Sequence, residues 1–270
     1  MAVINRTPDS FYDRGATYTE GAALHAVDRA VAEGADIVDI GGVKAAPGTE
    51  VGVGEELRRV ARFVGIVRSR YPDVVISVDT WRSEVARVVT AEGCDLINDS
   101  WGGSDPTLPV VAAETGAGLV CTHAGHQPPR TRPHRVTYDD VTGEVVRTCT
   151  ALTENALRAG VRPDGIIVDP GHDFGKNSRH SLEVTRRLGE LVRTGWPVLV
   201  ALSHKDFIGE ALGLPVRDRL EGTLATTAVC AWLGARLFRA HEVGPTRRVL
   251  DMIAAIRGDR DLTVARRGLA

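Results

Sequence analysis

The stretch GADIVD, residues 34–39, contains the pattern that decides the fold. A glycine ends a helix in a left-handed cap, a short apolar run follows, and a polar residue stands near the end of the run. The pattern returns at 93–98, 116–121 and 234–239. Because these runs are continuously apolar rather than alternating, they indicate strands that a parallel sheet buries on both faces.

Eight such apolar runs occur along the chain, the first at Ala2–Asn5, and amphipathic stretches lie between them. Helices are predicted over roughly 20–33, 53–70, 82–92, 106–115, 139–160, 179–193, 216–233 and 245–257. Strand followed by helix eight times predicts an α/β protein, a (β/α)₈ TIM barrel, and 270 residues suit a single domain of that kind. We expect the barrel to span residues 1–257 and residues 258–270 to form a polar tail.

Composition excludes several classes of function. The formal net charge of −2 argues against a nucleic-acid-binding protein, and the basic segment 130–135 is typical of a solvated loop. No apolar run approaches the roughly 20 residues that a membrane helix needs. The four cysteines show no Cys-x-x-Cys spacing, which favours reduced core thiols over disulfides or a zinc site. Without a charged-then-apolar leader at the start, we expect a cytoplasmic protein that acts away from membranes.

Polar side chains mark the ends of the predicted strands. In a TIM barrel the carboxyl ends of the strands form the active face. The residues found there are Asn5, Asp39, Asp79, Asn98, His123, Asp169, Ser203 with Lys205, and Arg239 with His241. Three connections on this face, 6–19, 41–52 and 124–138, are longer than packing requires, and loops of that length are usually functional.

The first long loop begins with NRTPDSF, residues 5–11, and here the chain resembles the dihydropteroate synthase family, whose first signature reads NVTPDSF. The resemblance runs from Ala2 to about Arg257 and includes DIGG (39–42), SVDT (77–80), IND (97–99), DPG (169–171), FGK (174–176), SHK (203–205) and RAHE (239–242). It implies a pterin-binding barrel that joins 6-hydroxymethyl-7,8-dihydropterin pyrophosphate to p-aminobenzoate in folate biosynthesis and releases pyrophosphate.

The resemblance also implies roles for individual residues. The partners of the pterin ring would be Asp79, Asn98, Asp169 and Lys205, although a lone strand-end aspartate could instead cap a helix. Arg239 and His241 would grip the pyrophosphate, and the alternative for this pair is an intrachain salt bridge, for which Glu242 could be the partner. Asn5 would help to hold Mg²⁺, the implied cofactor, which prefers oxygen ligands.

A second set of roles concerns the arylamine and the chemistry. Apolar walls for p-aminobenzoate, or for sulfonamide-type analogues, are implied at Phe11, Pro47 and Phe174. Ser203, near a helix start, could receive the carboxylate, and Asp13 would stabilise the pterin cation or order the metal. The implied catalytic residues are Asp13, Lys205, Arg239 and His241. The family also implies a homodimer formed through helices away from the active face.

The second long loop departs from the family. It reads GGVKAAPG, residues 41–48, where the family has GGESTRPG, so that Ala45 and Ala46 replace a threonine and an arginine that reach the pyrophosphate. Alanine donates no side-chain hydrogen bond, and we expect synthase activity to be weak or lost. In this respect the chain resembles the divergent second paralogue of actinobacteria. Milder departures are Asp173, which replaces a glycine ahead of Phe174, and His204, which replaces an arginine.

Three alternatives remain at this point. The chain could be an active synthase in which Lys44 or Arg14 replaces the lost arginine. It could be an inactive pterin-binding paralogue outside folate synthesis. It could also be the pterin domain of a folate-dependent methyltransferase, against which stand the synthase-like residues 7–11 and the Ser203-x-Lys205 spacing.

Overall fold

Parallel strands form the centre of the molecule. The computed structural model describes residues 1–8, 15–125, 127–131, 136–264 and 266–267. Within these ranges lie eight strands: β1 (Ala2–Asn5), β2 (Ile37–Gly41), β3 (Val75–Asp79), β4 (Leu96–Asp99), β5 (Gly118–Thr122), β6 (Ile166–Asp169), β7 (Leu199–Ala201) and β8 (Leu237–Arg239).

The strands close into a barrel. A continuous parallel ladder joins β1 through β6 in sequence order, and β7 pairs with β8. Bridges at Val168↔Val198 and Ala2↔Ala240 close the two gaps, and the Val3 N–H donates to the Ala240 carbonyl at 3.1 Å. The predicted (β/α)₈ barrel is therefore confirmed, and the carboxyl ends of its strands lie at one rim.

Helices surround the barrel. Those that the described ranges contain are α1 (Glu20–Ala32), α2 (Val53–Arg70), α3 (Ser83–Ala91), α4 (Leu108–Thr115), α5 (Val141–Ala159), α6 (Ser178–Arg186), α7 (Gly189–Val192), α8 (Asp206–Leu212), α9 (Leu220–Trp232) and α10 (Val243–Arg257). Most predicted boundaries agree within about two residues. Residues 258–264, which follow α10, are all exposed.

The structure differs from the prediction at two places among the helices. The helix expected over 179–193 is divided into α6 and α7, because Arg187 leaves helical geometry. Leu188 beside it is buried. The Arg187 guanidinium donates to Glu183, Glu190 and Asp140. The short α8, between β7 and α9, was not predicted. Seven residues contain too few turns for a helical period to be legible.

The glycines that introduce the strands have the backbone geometry expected from the sequence. φ is positive at Gly34, Gly93, Gly116 and Gly234. Each of them lies between a helix and the strand that follows it, so that the chain reverses direction within a few residues. This sharp reversal sets the strands in register and places their polar ends at the common rim.

One exposed surface is formed by apolar side chains of α9 and α10. Val229 and Trp232 of α9 and Met252 and Ile256 of α10 are exposed, and we call these four residues the α9–α10 face. The helices α9 and α10 pack against each other, so the face is continuous. Among the described residues, no helix combines the length and apolarity needed to cross a membrane.

Replacing Gly116 with alanine should destabilise the fold by about 1 kcal/mol, because φ is +73° there and L-residues avoid that region. Gly21 in α1 is the matched control. At both positions no described atom lies within 4 Å of the added methyl group, so the backbone conformation alone differs. Gly21→Ala should stabilise by about 0.4–1 kcal/mol. Urea unfolding measures both, and shifts of the same sign would contradict the geometry.

Candidate active site

A buried ionic cluster lies at the carboxyl ends of the strands. The Arg239 guanidinium donates to Asp39 through Nε at 2.6 Å and to Asp79 through Nη2 at 3.2 Å. Asp39, which is fully buried, also accepts from Ser77 Oγ at 2.6 Å and from Asn98 Nδ2 at 3.2 Å. We call these five residues the central cluster. It joins β2, β3, β4 and β8.

The central cluster brings together three predicted site residues and one that the prediction missed. Asp79, Asn98 and Arg239 meet as expected, and Arg239 pairs with Asp39 and Asp79 rather than with Glu242. Asp39 stood among the strand-end residues without a role. Its position inside a strand, rather than at the last residue, was the signal that it faces the barrel interior.

Burial and neighbouring charges shift the pKa values of Asp79 and Arg239 in the central cluster. Burial raises the pKa of Asp79 to about 7, with Arg239 opposing the shift and Asp39 adding to it. Ser100 Oγ donates to the same carboxyl group at 2.7 Å. Burial also works against the charge of Arg239, but Asp39 and Asp79 raise the pKa of its guanidinium overall. The guanidinium of Arg239 is therefore cationic, whereas burial works against the charge of Asp79.

Asp169 and Lys205 form the opposite side of the rim. Asp169, at the end of β6, accepts from the Gly171 N–H at 2.7 Å, and burial raises the pKa of its carboxyl group. Burial lowers the pKa of the Lys205 ammonium, while neighbouring acids oppose the shift. The Lys205 ammonium donates to the His172 carbonyl and lies 4.8 Å from the centre of the Phe174 ring. These residues combine an acceptor, a cation and an apolar wall.

The side chain of Trp101 packs against the Phe174 ring. The Trp101 ring meets it edge-on with ring centres 5.0 Å apart, and Trp101 is buried. The tryptophan follows β4 and had no role in the sequence prediction, because the aromatic partner is over 70 residues away in sequence. The contact fixes the orientation of the predicted apolar wall.

A buried lysine ties two rim loops together. Lys176 Nζ lies 2.6 Å from His123 Nδ1 and donates to the carbonyls of His123, Gly171 and Phe174 at 3.2, 3.0 and 3.0 Å. The side chain is only 2% exposed, and burial lowers the pKa of its amine to about 7. Because the protein surrounds the amine with acceptors from both loops, Lys176 links the loops after β5 and β6.

Ser203 and His241 contact each other beside the rim. His241 Nδ1 lies 2.9 Å from Ser203 Oγ, and the His241 N–H donates to the same oxygen at 3.3 Å. Glu242 approaches from the other side, with one carboxylate oxygen 3.4 Å from Ser203 Oγ and the other 2.9 Å from His204 Nε2. The Ser203 hydroxyl is therefore already engaged within the protein.

Asn5 ends β1 opposite Gly41 of β2. A side-chain carbon on Gly41 would lie 3.9 Å from Asn5 Oδ1 and 3.8 Å from Asp79 Cβ, so both side chains face the same edge of the rim. No group of three or more His, Cys, Asp or Glu residues suited to a metal occurs in the described part of the chain. This donor set fits a Mg²⁺ ion that arrives with phosphate oxygens and keeps waters, for which Asn5 would supply one ligand.

In the second long loop, residues 42–52, two alanines stand where the family has side-chain donors. Ala45 and Ala46 are half-buried, and Pro47, a predicted apolar wall, is exposed. Two further predicted residues, Phe11 and Asp13, lie outside the described residues. The described rim therefore contains Asp79, Asn98, Asp169, Lys205 and Arg239, for which pterin and pyrophosphate roles were predicted, together with Phe174.

Arginines outside the second loop hold its backbone. Arg59 Nη1 donates to the Gly42 carbonyl at 2.8 Å, and Arg82 Nη2 donates to the Val51 carbonyl at 2.7 Å. Arg130, from the loop after β5, donates to the carbonyls of Ala46 and Thr49 at 3.2 and 2.7 Å. The loop is thus restrained at both ends and at its centre.

Fold and site together define a class, the α/β barrels that hold a polar, flat molecule at the carboxyl ends of their strands. The chain belongs to the family described as pterin binding enzyme, whose model matches residues 1–241. The predicted family is therefore confirmed, and the chain is a dihydropteroate synthase homologue.

Individual relatives agree with this assignment. The chain is 58% identical to inactive dihydropteroate synthase 2 of Mycobacterium leprae, over 100% of this chain and 94% of that protein. It is 37% identical to the dihydropteroate synthase of Escherichia coli K12, over 94% of this chain and 90% of that protein. A crystal structure of Yersinia pestis dihydropteroate synthase with a sulfonamide drug matches with a TM-score of 0.90 at 33% identity, covering 96% and 94% of the two chains.

Asp39→Asn should lower the free energy of unfolding by about 3–5 kcal/mol, because it leaves the buried Arg239 with one carboxylate partner fewer. Asp36→Asn, three residues earlier, is the matched control. Asp36 is 78% exposed and pairs with Arg247 at the surface, so its loss should cost less than about 1 kcal/mol. Equal losses in urea unfolding would show that the central cluster does not organise the barrel.

Proposed function

We propose that this chain binds 6-hydroxymethyl-7,8-dihydropterin pyrophosphate at the barrel rim but catalyses the synthase reaction poorly. One observation carries the proposal. The deep residues Asp79, Asn98, Asp169, Lys205 and Arg239 lie at one rim, whereas loop 42–52 presents Ala45 and Ala46 where the family has donors. The name of the Mycobacterium leprae relative, which describes that protein as inactive, supports the same conclusion.

The pterin ring presents fixed hydrogen-bond donors and acceptors, and each one left unpaired in a buried site costs about 1–3 kcal/mol. Asp169 and Asp79 would accept from ring N–H groups, and Asn98 would pair with an adjacent ring atom. Lys205 would exchange the His172 carbonyl for the pterin carbonyl oxygen.

Loss of pyrophosphate requires cations and fixed donors near the departing oxygens. In this chain Arg239 and His241 would supply them, and Mg²⁺ held with Asn5 would add charge neutralisation when bound. A missing charged donor in a closed site costs on the order of 3 kcal/mol, which corresponds to roughly a hundredfold in rate. Ala45 and Ala46 therefore limit the chemical step more than they limit pterin binding.

The cellular setting follows from the same substrate. A pathway that consumes a pterin pyrophosphate and releases pyrophosphate works with cytoplasmic metabolites. All four cysteines are free and buried, as reducing conditions allow. We assign the protein to the cytoplasm on these grounds.

The test is pyrophosphate release from the pterin pyrophosphate and Mg²⁺ at the highest attainable p-aminobenzoate concentration. The unmodified protein should have a kcat roughly a hundredfold or more below that of the Escherichia coli enzyme. The Ala45→Thr/Ala46→Arg variant should regain a large part of that factor. Ala45→Thr/Ala46→Gln, which adds length without charge, is the control and should regain much less.

Calorimetry separates binding from turnover. The pterin pyrophosphate should bind the unmodified protein, and Asp169→Asn should weaken that binding at least tenfold. Asn5→Ala should reduce the gain in affinity that Mg²⁺ provides. Full turnover by the unmodified protein would contradict the proposed defect, and the absence of pterin affinity would reject the proposed function itself.

We also propose that the chain forms a homodimer through the α9–α10 face. Trp232, Met252 and Ile256 are each more than half exposed, and together with Val229 they place four exposed apolar side chains on two helices that pack against each other. The face lies on the outer helices, away from the strand ends. A symmetric interface of this kind would leave both rims open.

Light scattering should give twice the chain mass for the unmodified protein. Ile256→Asp places a charge in the apolar face and should yield monomers. Val88→Asp, on α3, is the control, because it adds the same charge at an exposed apolar position outside that face. If the unmodified protein is a monomer, the proposed homodimer is wrong.

A further inference from the structure

Arg130, the first residue of the basic segment 130–135, packs against the second long loop. Its guanidinium donates through Nε to the Ala46 carbonyl at 3.2 Å and through Nη1 to the Thr49 carbonyl at 2.7 Å. The residue is half-buried, and its backbone has φ +65°, a conformation that residues other than glycine seldom adopt. The side chain is therefore held on loop 42–52 instead of extending into solvent.

The loop that contains Arg130 is attached to the rim beside Phe174. Tyr138 Oη donates to the Gly175 carbonyl at 2.6 Å. A side-chain carbon on Gly125 would lie only 2.8 Å from Gly175 Cα, so the two backbones are in close contact. The described parts of this loop on either side of Arg130 are thus fixed to the loop after β6.

The contact between the two loops crosses one side of the rim. Loop 42–52 follows β2, and the loop with Arg130 follows β5. Because β3 and β4 lie between these strands in the sheet, a contact between the loops spans the ends of β3 and β4. Asp79 and Asn98 lie there, paired in register. The guanidinium of Arg130 is therefore at the same rim as the central cluster.

Arg130 differs in its charge balance from the other two arginines that hold loop 42–52. Arg59 forms an ion pair with Glu55, and Arg82 forms one with Glu56. Within the ranges that the structure describes, no aspartate or glutamate forms an ion pair with Arg130, and its guanidinium bonds to two carbonyl oxygens instead. Its positive charge is not cancelled by an acid there.

A pyrophosphate group needs positive charge that the protein has not already neutralised. The charge of Arg239 is shared by Asp39 and Asp79. The acid next in sequence to the Thr49 carbonyl, Glu50, is exposed and forms no ion pair with Arg130. Arg130 therefore adds to the rim a cation of the kind that a polyanion requires.

The chemistry of the guanidinium suits phosphate oxygens. It has five N–H donors in a planar fork, and such forks bind phosphate through paired hydrogen bonds. Two of the five bond to loop 42–52. The group lies at the backbone of Ala46, whose own side chain donates no hydrogen bond. One loop thus brings a cationic donor to the other.

We propose that Arg130 is a substrate-binding residue that contacts the pyrophosphate of the bound pterin pyrophosphate. This inference rests on the proposed function and names a further contact for the same substrate. Because part of the guanidinium is bound to loop 42–52, Arg130 presents fewer donors than an arginine at residue 46 would. It contributes to affinity for the intact substrate, and the slow chemical step expected from Ala45 and Ala46 is unchanged.

Calorimetry with Mg²⁺ present tests the contact by comparing two ligands. These are 6-hydroxymethyl-7,8-dihydropterin pyrophosphate and 6-hydroxymethyl-7,8-dihydropterin, which lacks the phosphates. Arg130→Gln should weaken binding of the first roughly tenfold or more, because charge-assisted hydrogen bonds to phosphate are lost. Binding of the second should change less than about twofold. A residue that only restrained the loop would not discriminate between the ligands in this way.

Arg162→Gln is the control for net charge. This arginine is 75% exposed and lies before β6, at the opposite end of the barrel, so the variant should leave both affinities unchanged. A second measurement uses the unmodified protein and does not depend on the folding of a variant. Phenylglyoxal modifies arginine side chains, and mass spectrometry locates the modified residue. The pterin pyrophosphate should protect Arg130, and the ligand without phosphates should protect it much less.

Equal losses of affinity for the two ligands in Arg130→Gln would overturn the inference, and so would an unchanged affinity for the pyrophosphate compound. If that variant fails to fold, as judged by circular dichroism, equal protection of Arg130 by both ligands would overturn it. A protein that binds both ligands and gives any of these results retains the proposed function and loses only this inference. A protein that binds neither ligand loses both.

Discussion

The site depends on one buried cation shared by two acids. Arg239 reaches from the last strand to Asp39 and Asp79, and closure of the barrel between β8 and β1 is what brings them within reach. Removing one member of a buried ion pair lowers the free energy of unfolding by more than the intact pair adds to it. Such a pair therefore specifies geometry more than it adds stability. It fixes Asn98 and Asp79 as neighbours and thereby defines the pattern of donors and acceptors at the rim.

Much of the architecture was legible in the sequence because strand ends and helix-ending glycines leave local signals. Asp79, Asn98, Asp169, Lys205 and Arg239 were found because each follows an apolar run, and barrel geometry places such residues together. Asp39 and Lys176 were harder to assign. Asp39 acts through Arg239, 200 residues away, and Lys176 acts through backbone carbonyls of two separate loops. Pairings of that kind have no sequence period.

The departures from the family lie around the rim rather than within it. Loop 42–52 lacks the donors expected there, and its backbone is restrained by Arg59, Arg82 and Arg130. Asp173, which replaces a glycine of the family, follows β6 and accepts from the first two N–H groups of α8. The interior keeps Asp79, Asn98, Asp169 and Arg239, which the family resemblance predicted there.

The hydrogen bonds of Lys176 affect the conformational entropy that a ligand would lose on binding. Its amine joins the carbonyls of His123, Gly171 and Phe174, so the β5 and β6 side of the rim is already ordered before anything binds. A molecule docking against a rigid surface loses less conformational entropy than one that must first order a loop. A ligand that contacts the β5 and β6 side would therefore lose less conformational entropy than one that must order loop 42–52.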